Sequence, residues 1–306
     1  MFENLSESVN QEIDLSLFSI YNYALVIKRE DLIHPEISGN KYRKLKYNLK
    51  KAQILQNNTL LTFGGAYSNH IAATAAAGKE FGFNTIGIIR GEEIVNKVAD
   101  NPTLSFAEKC GMQLHFIMRE DYRSKTEIYF IEKLKEKFGD FYLLPEGGTN
   151  SLAVKGCKEI LINDDASFDY ICASVGTGGT LAGIINTSTD AQIILGFSAL
   201  KGTFQNKIVQ KYCSKTNWKI FDDYSLGGYA KIDLNLIRFI NEFKEKTGIL
   251  LDPIYTGKML FGIFDLMRNK KIKENSRILA IHTGGLQGIA GMNLILEKKA
   301  LPTITI

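Results

Sequence analysis

The sequence predicts an α/β protein with two open, mostly parallel sheets flanked by helices. Three observations carry this. Short continuous apolar runs alternate with helical patterns along most of the chain. Apolar strands without period-2 polarity fit sheets covered on both faces. Three strand-to-helix junctions carry glycine clusters, "FGGAYSNH" (63–70), "SVGTGGTLAG" (174–183) and "IHTGGLQG" (281–288). Ligands of open parallel sheets bind where the strands end at their carboxyl side.

The elements follow in order. "TLLTF" (59–63) precedes the helical "IAATAAAGKEFG", and "TIGIIR" (85–90) precedes a helix started by Pro102. "QLHFIM" (113–118) leads to "KTEIYFIEKLKEKFG", and "FYLL" (141–144) to "SLAVKGCKEILI". "YICASV" (170–175), "IILGFSA" (193–199) and "RILAIH" (277–282) each run toward a helix. The glycine-rich "EGGTN" (146–150) reads as a loop. It marks a boundary between a small domain over 45–153 and a large one combining 1–44 with 154–306. No internal repeat or low-complexity segment stands out.

The 306 residues, 45% hydrophobic and 23% charged with a net charge of +4, describe a globular chain with a sizeable core. No run of like charges suggests a nucleic-acid tail. No apolar run approaches the ~18 residues of a membrane span. The opening "MFENLSESVNQEIDLS" is polar and acidic, unlike a signal peptide. The four cysteines, at 110, 157, 172 and 213, form no C-x-x-C pair and lie at no metal-ligand spacing from a histidine. A reducing, cytoplasmic setting without a structural metal is the expectation.

"SGNKYRKL" (38–45) sets Lys41 after a Gly-Asn turn and ahead of a basic helical stretch. Alternation of charge with Leu and Tyr suggests that Lys44, Lys46, Lys50 and Lys51 occupy a solvated face. Lys41 could do the same, or it could enter a pocket as a nucleophile of lowered pKa.

"GTGGT" (176–180) opens a helix after a strand. It lacks the lysine of a P-loop, and its third position fails the G-x-G-x-x-G dinucleotide pattern whether begun at Gly176 or Gly178. What remains is a compact cradle of N–H groups with two hydroxyls, Thr177 and Thr180, suited to one phosphate monoester. An ordinary glycine-rich turn would look the same. Ser68, Asn69 and His70 sit at a helix start, where they serve as a plain cap or as a carboxylate cradle. His70 by itself reads as structural. Thr283 would point from a strand tip into the crevice. A phosphate cradle, a carboxylate cradle and a desolvated lysine together suit pyridoxal 5′-phosphate.

"KREDL…SGNKYRKL", "GGAYSNH", "SVGTGGTLAG", "DPIYTGK" (252–258) and "IHTGG" resemble the fold-type II pyridoxal-phosphate enzymes. More narrowly they resemble the D-cysteine desulfhydrase and 1-aminocyclopropane-1-carboxylate deaminase family, from about residue 26 to the end. The resemblance implies the tryptophan-synthase-β-like two-domain fold, a homodimer, and a small amino-acid substrate. It implies a Schiff base on Lys41, a bond from Asn69 to the cofactor's 3′-hydroxyl, and phosphate binding by Gly176, Thr177, Gly178, Gly179 and Thr180. Thr283 would face the pyridine nitrogen. Ser68 would bind the substrate carboxylate and shuttle a proton, with Asn69, His70 and Tyr67 lining the substrate side. Tyr229 and Tyr255 would border the substrate and serve in proton transfer.

Two positions separate the subfamilies. The deaminases carry Glu after the tyrosine of "DP-x-Y-x-GK" and Leu before the late Gly-Gly; here Thr256 and Thr283 stand, as in the desulfhydrases. A neutral threonine leaves the ring a weaker electron sink than a carboxylate does. Expulsion of a thiol asks less of that sink than opening a cyclopropane. The expected reaction is therefore α,β-elimination from D-cysteine to pyruvate, ammonia and sulfide, with freed Lys41 as general base. The alternatives are cyclopropane deamination, and elimination or racemisation of another small D-amino acid. Tyr67 in place of the usual Gln, Ala72 in place of an arginine, and Ser38 before Gly39 alter the pocket wall. Outside the enzymes, a non-catalytic phosphate-ligand binder is the rival, and an intact Lys41 argues against it.

Overall fold

The computed structural model describes residues 7–202 and 204–306. Residues 1–6, the start of the polar N-terminal segment, and Thr203 lie outside the described residues. The elements are β1 (Asn10–Ile13), β2 (Ala24–Lys28), α1 (Asn40–Ile54), β3 (Thr59–Gly64), α2 (Asn69–Phe81), β4 (Asn84–Arg90), α3 (Pro102–Lys109), β5 (Met112–Ile117), α4 (Ile128–Phe138) and β6 (Tyr142–Leu144). They continue with α5 (Ser151–Cys157), β7 (Tyr170–Val175), α6 (Gly179–Thr187), β8 (Ile193–Ser198), α7 (Gln205–Tyr212), β9 (Trp218–Phe221), α8 (Leu234–Thr247), α9 (Thr256–Arg268), β10 (Arg277–Ile281) and α10 (Gly288–Lys298).

Among the described residues ten strands make two sheets. One is six-stranded in the order β1-β2-β10-β7-β8-β9, the other four-stranded in the order β5-β4-β3-β6. Every pairing is parallel except that of β1 with β2, which is antiparallel at the sheet edge. The expected α/β class with two mostly parallel sheets is what the chain forms.

Strand periodicity explains why both faces are covered. In β7, Ile171, Ala173 and Val175 join one apolar cluster while Cys172, between them, joins the other. In β10, Leu279 and Ile281 face the first cluster, Ile278 and Ala280 the second. The four-stranded sheet repeats this: Leu60 faces one core, Leu61 and Phe63 the other. Alternate side chains point to opposite faces, so an unbroken apolar run needs a helix layer on each side.

Helix ends carry the expected local chemistry. Asn101 caps α3 by accepting from Leu104 N–H, with Pro102 at the first turn. Ser68 caps α2, and Gly82, at φ +76°, ends it in the left-handed region. Alanines let α2 pack on all sides: its residues 70–78 are buried throughout.

Strand order fixes where a ligand can bind. In the six-stranded sheet the chain first lays down β1 and β2 at one edge; it later enters β7, proceeds outward through β8 and β9, and returns between β7 and β2 as β10. In the four-stranded sheet it starts at β3, proceeds through β4 and β5, and returns beside β3 as β6. A crevice opens where neighbouring strands send their connections in opposite directions. The loops at these two points are 176–178 and 282–287 on one sheet, and 65–68 and 145–150 on the other. These are the glycine-rich segments.

Candidate active site

The four loops and the start of α1 enclose a cavity of about 600 Å³. Lys41 is in the first turn of α1, with part of its surface open to the cavity. The preceding turn explains its position. Gly39 takes φ +60°, and a Cβ there would fall 2.0 Å from the Thr283 carbonyl oxygen. Asn40 N–H donates to that oxygen at 3.4 Å, and the Asn40 amide donates to Thr180 Oγ1 at 2.8 Å. Lys41 Nζ donates to Asn40 Oδ1 at 3.0 Å.

Charged residues of "KREDL" brace this turn from behind. Arg43 makes two 2.9 Å bonds to the fully buried Glu30. Arg29 grips Asp31 at 2.9 and 2.7 Å, and Asp31 lies 3.4 Å from His282, next to Thr283. Lys28 pairs with Asp165 at 2.8 Å, both buried. Buried ion pairs of this kind serve geometry more than net stability.

Lys44 corrects the reading of a solvated face. It is buried, and Nζ donates to Gly147 O at 2.8 Å, Thr149 Oγ1 at 3.0 Å and Thr177 Oγ1 at 3.4 Å. The charge therefore sits at the wall of the "GTGGT" loop. Its pKa is lowered to about 8 by burial. Lys46 also turns inward, to Glu159 at 2.5 Å, whereas Lys50 and Lys51 are exposed. Burial, and then the charge of Lys44, lower the Lys41 pKa to about 7. Near neutrality much of Lys41 is an uncharged amine.

Thr177, Gly178, Thr180 and Gly176 line the cavity. Gly179 does not; it forms the first residue of α6, where a Cβ would meet Thr149 Oγ1 at 2.7 Å. Gly178, at φ +84°, caps α6 without a side-chain bond. The first-turn amides therefore remain free for an anion.

Opposite, Ser68, Asn69, His70 and Tyr67 line the cavity at the start of α2. Ser68 Oγ accepts from Ile71 N–H at 3.3 Å. Asn69 Oδ1 accepts from Gln287 at 2.6 Å, and its amide nitrogen lies against Gly285. Tyr67 lays its ring on Gly291 of α10, where a Cβ would come within 2.5 Å. His70 is buried with both ring nitrogens unpartnered among the described residues. Burial, then the charges of Lys41 and Lys44, hold its pKa well below the usual imidazole range, so it is neutral.

Tyr229 and Tyr255 meet edge to face, ring centres 6.4 Å apart. Desolvation raises both pKa values, Tyr255 furthest, and the neighbouring Tyr229 adds to the rise of Tyr255. Lys258 holds the Tyr229 loop by donating to Ser225 O at 2.7 Å and Gly228 O at 2.9 Å.

The two threonines of the subfamily comparison part company. Thr283 lines the cavity. Thr256 is fully buried behind it, donating to Asp252 Oδ1 at 2.8 Å and accepting from Asp252 N–H at 2.9 Å. Thr256 thus faces a carboxylate, and only Thr283 is within the cavity wall.

Other cavity residues had no sequence signal strong enough to single them out: Asn40, Lys44, Arg90, Arg119, Glu146 and Phe204. Lys44 had one unused clue, since it stands three residues after Lys41 on the same helix face. Among the described residues no cluster could hold a metal ion, and no helix is long and apolar enough to cross a membrane.

These features fit pyridoxal phosphate. The uncapped glycine turn with Lys44 suits the phosphate, Lys41 supplies a neutral amine, and His70 offers unpartnered nitrogens at the start of α2. The comparisons agree: the family of pyridoxal-phosphate dependent enzymes matches residues 13–284, and the chain belongs to it. A Thermotoga maritima protein with a provisional name as a 1-aminocyclopropane-1-carboxylate deaminase is 32% identical over 88% of this chain and 91% of its own. An Arabidopsis thaliana relative, named a bifunctional D-cysteine desulfhydrase/1-aminocyclopropane-1-carboxylate deaminase, is 31% identical over 87% of this chain and 73% of its own. A solved structure titled as an ACC deaminase homologue superposes with a TM-score of 0.80 at 27% identity, covering 92% of this chain and 90% of that one.

Proposed function

We propose that this chain catalyses α,β-elimination from D-cysteine, releasing pyruvate, ammonia and sulfide. The observation that carries the reading is the Lys41 amine, lowered to about 7 and turned into a cavity between an anion cradle and the start of α2.

Lys41, Asn69, Thr283 and the 176–180 turn with Lys44 would hold the cofactor. Bound pyridoxal phosphate supplies a carbonyl for the substrate amino group and a conjugated ring that accepts the electron pair of the broken Cα–H bond. The start of α2, with Ser68 and Asn69, anchors the substrate carboxylate through free N–H groups. That anchoring fixes which face of Cα meets Lys41. Lys41 Nζ takes the α-proton, which requires the uncharged amine its burial provides. The Cβ–S pair leaves with sulfur, and Tyr229 Oη, a phenol of raised pKa packed edge to face on Tyr255, returns a proton to it. Water converts the released 2-aminoacrylate to pyruvate and ammonia, with no net redox change.

Thr283 in the wall, a neutral group, favours D-cysteine over the cyclopropane. Deamination of 1-aminocyclopropane-1-carboxylate is the second reading, supported by the bifunctional name of the Arabidopsis relative. The test is a side-by-side assay of D-cysteine, L-cysteine and the cyclopropane amino acid for 2-oxo-acid release. Faster release from the cyclopropane than from D-cysteine would overturn the assignment. Lys41→Ala should abolish covalent cofactor attachment and turnover together.

A further inference from the structure

The elimination chemistry leaves one charged cavity group without a task. Arg90 ends β4, and its guanidinium lines the cavity beside the 65–68 loop. A Cβ on Gly65 would lie 3.7 Å from Arg90 Nη2 and meet no other atom within 4 Å. The guanidinium rests near the Tyr122 ring, 5.7 Å from its centre, and no carboxylate pairs with it among the described residues. Its neighbours are already engaged. Arg119 binds Glu93 at 2.6 Å; Glu146 accepts from Tyr122 at 2.8 Å and lies 3.4 Å from Lys125. A planar fork of five donors facing a cavity, with no internal acceptor, is suited to an anion.

The loop beside it leads to a second anion-seeking group. Ser68 N–H donates to Gly65 O at 3.1 Å, closing a turn whose end α-carbons lie within about 7 Å. Arg90 flanks the Gly65 end, and the free amides of α2 begin at the Ser68 end. Two anion-seeking groups thus bracket a single turn. The Arg90 charge also opposes the upward shift of the Tyr229 pKa.

We propose that Arg90 recognises the side-chain end of the substrate. The site then prefers small amino acids whose β-substituent is anionic, or becomes so on ionising as a thiol does, over neutral equivalents. This deepens the elimination reading and rests on it.

The test uses the holoenzyme with serine O-sulfate, O-acetylserine and β-chloroalanine, each in both enantiomers. The sulfate and acetate esters differ in charge at the same leaving position. In Arg90→Gln the ratio of kcat/KM for the sulfate over the acetate should fall about tenfold or more, chiefly through the KM of the sulfate ester. Arg90→Lys should recover part of the ratio. An unchanged ratio, or an equal loss on both esters, would overturn the proposal; equal loss would make Arg90 a holder of the α-carboxylate. Calorimetric binding of D-aspartate and D-alanine gives a reading without turnover. Arg90→Gln should weaken D-aspartate about tenfold more than D-alanine, and equal weakening would overturn the proposal. If wild-type enzyme converts none of the substrates, β-chloroalanine included, the elimination reading fails while the calorimetry still decides the role of Arg90.

Discussion

Gly39 and Thr283 touch backbone to backbone across 244 residues of chain: a methyl group on Gly39 would lie 2.0 Å from the Thr283 carbonyl oxygen and 2.3 Å from its carbon. The contact joins the loop after β10 to the turn that aims Lys41. Neither partner can yield, because both are main chain, and Gly39 holds φ +60° besides. Gly39→Ala should therefore lower stability by about 3 kcal/mol or more, combining backbone strain with the steric shift. Thermal unfolding of the purified variant, alongside cofactor content, measures it; a melting point within a degree of wild type would refute the packing argument.

The lowered lysine pKa values predict a pH dependence for the cofactor-free protein. Folded Lys41 gives up its proton near 7 and Lys44 near 8, while the unfolded chain keeps both protons to about 10.4. Between those limits the unfolded state binds more protons, so stability climbs as pH rises from about 7 toward 10. Lys41→Met should flatten the lower part of the climb. Urea unfolding of apoprotein at a series of pH values is the measurement, and an equal slope in the variant would contradict the assignment.

Lys44→Met removes a charge from the wall of the glycine turn and leaves Gly147 O, Thr149 and Thr177 short of a donor. Cofactor affinity should fall at least tenfold, since a charged hydrogen bond contributes about 1.5–3 kcal/mol. Spectroscopic titration of apoprotein with pyridoxal phosphate reports this directly. Affinity equal to wild type would reduce Lys44 to a structural clamp.

Thr256→Val keeps the volume but deletes a donor to Asp252 Oδ1 and the acceptor for Asp252 N–H. Burial already raises the Asp252 pKa, opposed by its bonds to Thr256, Tyr255 and Ile254. The variant should lose about 1–3 kcal/mol. The loss should grow as pH rises through the Asp252 titration, because the ionised carboxylate needs the hydroxyl most. Chemical denaturation of both proteins across a pH series measures it; a loss that does not change with pH would contradict the argument.

Much of the architecture was legible because periodicity and glycine placement are local signals. Strands buried on both faces read as continuous apolar runs, as in "YICASV" and "RILAI", and their helices followed at short range. The glycine loops were legible for the same reason: a backbone that must approach a ligand admits few residue types. Lys44 was misread because alternation within a helix cannot reveal what packs against it; the wall it meets comes from residues 147–149 and 177. Arg90 was invisible for a related reason. An arginine ending a strand is unremarkable until strand order puts that end beside another loop. Thr256 illustrates the converse, a position marked by comparison whose side chain turns to a buried aspartate.

Cys157 sits beneath the anion cradle, its sulfur 3.9 Å from Thr180 Oγ1, with a thiol that burial pushes up to about 11. No reagent can alkylate that sulfur while α5 and α6 stay closed. The chain therefore carries an internal stopwatch: the rate at which Cys157 is labelled counts transient partings of the two helices, and an occupant of the cradle should slow the count.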